Sequence, residues 1–124
     1  GVGSGGSLDA AYTLKADVAG GTYHVICDAI IIRSVDVTFD LIHRRGSDDT
    51  KLVTWTQHFD PLPGGMYDAQ AYEVDETAPA IDFQEGDQFV FRYSGANTTS
   101  SNAFIPNGDG ATANGRIPNI TLPK

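Results

Sequence analysis

Residues Ser34–Arg45 (SVDVTFDLIHRR) and Lys51–Phe59 (KLVTWTQHF) decide the fold class. In the first, Val35, Val37, Phe39 and Leu41 alternate with Asp36, Thr38, Asp40 and Ile42. In the second, Val53, Trp55, Gln57 and Phe59 alternate with Leu52, Thr54, Thr56 and His58. A period of two puts one set of side chains on each face of an extended strand. Between the runs, Gly46-Ser47-Asp48-Asp49 carries turn chemistry. The two runs therefore predict a long antiparallel hairpin with one apolar face.

Working outward, the same reading extends to both ends. Leu8–Val18 alternates Leu8, Ala10, Tyr12, Leu14, Ala16 and Val18 against polar or small neighbours, and the strand reading is favoured over an Ala-rich helix capped by Ser7. Thr22–Arg33 is β-branched and aromatic, with a break expected near Asp28. Asp60–Gly65 is a loop, because its two prolines cannot serve a central ladder. Met66–Val74 reads as a weaker strand and Ala80–Phe83 as a short one. Gln88–Ser94 turns Phe89, Phe91 and Tyr93 inward. Gly95–Asn114 is an Asn/Thr/Ser/Gly excursion with one short strand at most, and Arg116–Leu122 closes the domain as an edge or bulged strand at Pro118. Seven or eight short strands with Gly, Pro and Asx turns predict an all-β chain: an antiparallel β-sandwich of jelly-roll type, with a closed barrel as the rival.

The bulk composition agrees. A chain of 124 residues is one domain and can bury a core without a metal or disulfide. Gly1–Ser7 (GVGSGGS) reads as a flexible linker or tag remnant, leaving 8–124 as the single domain. The net charge of −8 repels phosphate backbones, which argues against a nucleic-acid partner. No stretch is long and apolar enough to insert into a membrane, or basic and amphipathic enough to lie on one. Low lysine content and a Thr/Asn/Gly-rich surface lean towards a secreted, cell-surface or periplasmic location. Cys27 stands alone, among apolar neighbours, and reads as a buried inert thiol.

The turn and strand Glu85-Gly86-Asp87-Gln88-Phe89-Val90-Phe91-Arg92-Tyr93 resemble the late strand of many jelly-roll modules, among them carbohydrate-binding modules and C1q/TNF-like heads. The resemblance covers nine residues and implies architecture alone.

Catalytic sets fail on spacing. His24, His43 and His58 are never two apart, as a metal-binding strand pair would need. No G-x-S-x-G elbow is present. Asp36 and Asp40 share a face but stand roughly 13 Å apart along a strand, too far for a glycosidase pair, and read as a solvated polar face. A non-catalytic binding module, recognising glycan or protein through loops or a sheet face, is the expectation. An assembly protein, a homo-oligomer, is the alternative: a trimeric C1q/TNF-like head, or a virion or shell decoration protein. Apolar Val90 opposite Phe89 and Phe91, and Ile30 and Ile32 opposite Ile31, motivate it.

Aromatic rings stack on sugar faces, so Trp55, Tyr67 and Tyr72 are the candidate ligand-binding residues. Trp55, beside Val53, leans to the core, and the two tyrosines near the Pro-Gly loop lean to the surface. No cofactor is required. Asn107 and Asp109, alternate oxygen donors in a Gly-rich loop, are the one candidate calcium site, although Asn-Gly and Asp-Gly are also ordinary turn formers.

Overall fold

A computed structural model of the chain describes residues 1–65, 67–106 and 119–123. It contains eight strands: β1 Ser7–Thr13, β2 Gly21–Ile31, β3 Val35–Arg45, β4 Asp48–Phe59, β5 Ala69–Ala78, β6 Gln88–Ala96, β7 Phe104–Pro106 and β8 Asn119–Thr121. They form two antiparallel sheets. One has the order β1-β6-β3-β4; the other has β5-β2-β7, with β8 pairing β2 beside β7. This is the expected jelly-roll-type sandwich, and no helix occurs among the described residues.

The decisive hairpin forms as its alternation requires. Val35 pairs with Phe59 and Arg45 with Asp48, so the loop is only Gly46-Ser47. It is tighter than the four-residue turn expected from composition. Gly46 makes that possible: its φ of 61° is the conformation the first loop residue of a type II′ turn must adopt. A bulge at Leu41/Ile42 leaves Leu52 unpaired and brings Lys51 opposite Ile42.

The inner faces meet in one core around Phe39. Its ring lies 5.3 Å from both Trp55 and Tyr72 in stacked geometry and 5.7 Å from Phe91. Phe59, Tyr93 and Phe104 each sit 6.3 Å away, edge-on. Each such pair contributes about 0.5–1.5 kcal/mol beyond area burial. Tyr23, Val25, Ile31, Val35, Val37 and Leu41 complete the dry layer.

Several expectations are corrected. β2 runs unbroken through Asp28, because every residue from Gly21 to Ile30 is laddered to β5. β5 begins at Ala69 and runs to Ala78, later and longer than its sequence suggested. Ala80–Phe83 supplies only a single bridge, Ile81 to Val18. Gly1–Ser7 is not a free linker in this structure: Val2 is fully buried, and its backbone bonds Phe104 and Ala103. Gly3 passes so close to Gly95 that a Cβ there would lie 2.4 Å from the Gly3 carbonyl oxygen. Glycine composition signals freedom, but it also permits such close approach.

Candidate functional site

Among the described residues, chemistry can be sought on the outer faces of the two sheets, on the flank where edge strands β4 and β5 stand opposite each other, and on the far flank between β1 and β8.

The outer face of the four-stranded sheet is polar and internally satisfied. Arg92 places Nε 2.7 Å from Asp9 Oδ1 and Nη2 2.9 Å from Asp9 Oδ2. Arg44 donates to Asp49 at 2.7 and 3.0 Å and reaches Asp9 at 3.3 Å. Asp9 lies two strands from Arg44, with β6 between them. The bridging side chains therefore cross the row that holds Val90 and Ile42. Both are fully buried although they face outward. Of the apolar residues that suggested an assembly surface, Val90 is thus roofed by long charged side chains, whereas Ile30 and Ile32 are half-buried and lie away from this face. Asp40 belongs to the same face but is 2% exposed, which corrects its reading as solvated. Thr54 donates to it at 2.6 Å, and Lys51 stands 3.8 Å away. The two arginines hold the carboxyls of Asp9 and Asp49 below the usual carboxylate range.

At one end of this face His58 lies between two carboxylates, its Nδ1 2.6 Å from Asp36 and its Nε2 2.9 Å from Asp60. His24, on the other sheet, has Nδ1 2.5 Å from Asp75 and Nε2 3.2 Å from Glu73. With both nitrogens facing acceptors, each ring fits the geometry of an imidazolium. Asp36 and Asp75 are the main causes that push the two histidines above the ordinary range. At the opposite end Asp87 is 1% exposed and receives Arg45 twice, His43 Nε2 and the Gln84 N–H. The Gly-Asp turn of the jelly-roll-like stretch is therefore an anchoring hub. No group of three or more metal-ligating side chains occurs among the described residues.

The β4–β5 flank is different. Trp55 on β4 and Tyr72 on β5 are half-buried, and Trp55 Nε1 donates to Tyr72 Oη at 2.9 Å. The bond joins the two sheets at their open edge. Two of the three aromatic candidates thus come together, both backed by Phe39. Tyr67 stands apart in the loop before β5, 76% exposed, at a shallow cleft of about 480 Å³ with Pro61, Leu62, Gly64, Gly65 and Asp68. Two positions from the aromatic pair along the same strand faces lie Gln57 and Gln70. Gln57 Nε2 donates to the His58 carbonyl at 3.2 Å, and Gln70 Nε2 to the Asp60 carbonyl at 2.7 Å. Among the described residues neither amide oxygen takes a donor. Alternation places both glutamines in sequence, but only the facing of β4 and β5 shows that they flank one surface.

Cys27 points to the inner side of β2, where burial pushes its thiol up to about 12, in keeping with an inert residue. Asn107 and Asp109, the calcium candidates, lie outside the described residues. A cavity of about 690 Å³ opens on the far flank between β1 and β8, walled by Tyr12, Leu14, Val18, Phe89, Ile120 and Leu122. It is mainly apolar and lies away from the aromatic–amide pairings.

A solved structure described as "CBM4 structure and function" superposes on this chain with a TM-score of 0.51 at 15% sequence identity. CBM abbreviates carbohydrate-binding module. The fold is a carbohydrate-binding-module-like β-sandwich. The match covers 77% of this chain and spans about half of the other, 53%. No family model matches the sequence, and no curated protein matches it.

Proposed function

We propose that the chain is a non-catalytic glycan-binding module, working outside the cell, that takes its ligand along the β4–β5 flank. The observation that carries this reading is the Trp55–Tyr72 pair, fixed by a hydrogen bond and backed by Phe39, with Gln57 and Gln70 both beside it on the side of the loop that joins β4 to β5. Rigid aromatic rings supply the apolar contact a pyranose face seeks, at little entropic cost. Amide oxygens beside them accept from sugar hydroxyls, and a few convergent polar groups on an apolar surface are the usual form of a specific site. Tyr67 extends the same flank as an exposed ring at the loop end. The likeness to a carbohydrate-binding-module structure supports the class of ligand through the fold.

The test is affinity electrophoresis and calorimetry of the chain against a panel of soluble β- and α-linked polysaccharides. Binding to at least one, lost in Tyr72→Ala and weakened in Gln57→Ala, is expected. Retention of full affinity in Tyr72→Ala and Gln57→Ala together moves the site elsewhere. No binding across the panel ends the reading.

A further inference from the structure

We propose that β4 is a pairing edge, and that its partner is a second copy of β4 related by a two-fold axis, so that the four-stranded sheet continues across a dimer. The argument begins with how each sheet edge is protected. An edge strand exposes unpaired N–H and C=O groups and is normally blunted by shortness or by charged side chains. β1 is seven residues long and carries Asp9. β5 carries Glu73, Asp75 and Glu76. β7 and β8 have three residues each.

β4 has twelve residues; its charges, Asp48, Asp49 and Lys51, gather at one end before the bulge at Leu52, and among the described residues its backbone ladders only to β3. From Leu52 to Gln57 (LVTWTQ) it has no charge, no proline and no glycine. On a chain of net charge −8, this strip is where two copies meet without opposing like charges.

The charges that flank the strip are complementary under a two-fold operation. Lys51 stands at one end, 60% exposed and only 3.8 Å from its partner Asp40. Asp60 stands just past the other end, 64% exposed. Antiparallel self-pairing centred near Trp55 brings Lys51 of each copy alongside the Phe59–Asp60 end of the other, twice by symmetry. The self-complementary pattern is what selects a second copy over a foreign strand. The pairing uses the edge of the strand that carries Trp55, so a second copy and a glycan compete for the flank, and the oligomeric state is therefore measured without glycan.

The experiment is sedimentation equilibrium of the full chain from micromolar to near-millimolar concentration. A reversible monomer–dimer equilibrium is expected. Thr56→Lys places like charges beside the axis on an exposed side chain and raises the dissociation constant by about tenfold or more. Thr56→Glu does the same alone, and mixing the two variants restores a dimer. A strictly monomeric chain at the highest concentration overturns the proposal. So does a dimer unaffected by either substitution, or a mixture that fails to recover. Should only a foreign extended peptide add to β4, seen as protected β4 amides in hydrogen exchange, the second-copy assignment is overturned as well. Circular dichroism of each variant confirms that it is folded.

Discussion

The outer face of the four-stranded sheet and the β4–β5 flank are built from the same strand, yet they treat polar groups in opposite ways. On the face, Arg44, Arg92, Asp9 and Asp49 satisfy one another and shield Val90 and Ile42. On the flank, Trp55 and Tyr72 use one hydrogen bond to fix their own rings, and among the described residues the amide oxygens of Gln57 and Gln70 take no donor. A surface whose polar groups have partners within the chain contributes to shape. A surface that leaves acceptors beside fixed aromatic rings is equipped to recognise.

The strongest way to break the contrast is to remove what lies behind both surfaces. Phe39→Ala deletes the ring on which Trp55 and Tyr72 stack and should cost about 3–5 kcal/mol of unfolding free energy in urea titration. A change below about 1 kcal/mol would mean that Phe39 is not the common support.

Next is the Asp87 hub. Asp87→Asn leaves Arg45 without its carboxylate and should lower the denaturant midpoint clearly at pH 7. The Asp87 carboxyl is held well below the usual range, first by Arg45. A lowered folded pKa stabilises above the unfolded value of about 3.9 and is lost as pH falls through the folded value. The variant should therefore lose less stability than the parent between about pH 4 and acid unfolding; parallel curves would contradict this.

Trp55→Phe sharpens the comparison on the flank. It keeps a ring and removes the N–H, costing about 1 kcal/mol of stability and weakening glycan retention. Unchanged retention would show that the fixed orientation of the pair is irrelevant to binding.

The bridging histidines give a smaller, pH-dependent effect. Their raised values mean that the stabilisation is complete below the unfolded pKa of about 6.5 and fades as pH rises through the folded value. The melting temperature should fall on the alkaline side of neutrality, less steeply in His58→Gln combined with His24→Gln. An equal slope in the double variant would contradict the assignment.

Smallest is Arg92→Gln on the roofed face. One member of a partly exposed ion-pair network contributes about 1 kcal/mol or less. Its loss should leave glycan binding untouched; a large loss of affinity would make the face, not the flank, the site.

Much of this was legible in the chain. Alternation at Val35–Leu41 and Val53–Phe59 named the hairpin and its inner face, because period two is fixed by backbone geometry, but not its register, which the two-residue loop and the bulge at Leu41/Ile42 set. The strand at Phe89–Tyr93 and the single apolar core followed from the same rule. Trp55 and Tyr72 were visible as aromatics, but whether each was core or platform was not. A half-buried position depends on what lies across the sandwich, and alternation does not report that distance.

The sequence alone determined that strands form and which of their faces turn inward, since side-chain direction is local to the backbone. The tertiary structure decided which strands become edges and which residues seventeen apart come into contact, as Trp55 and Tyr72 do. It also decided that Val2 joins the core and that Asp40 is buried. Those outcomes depend on sheet order and on closure of the two layers, which are non-local and leave no period in the chain.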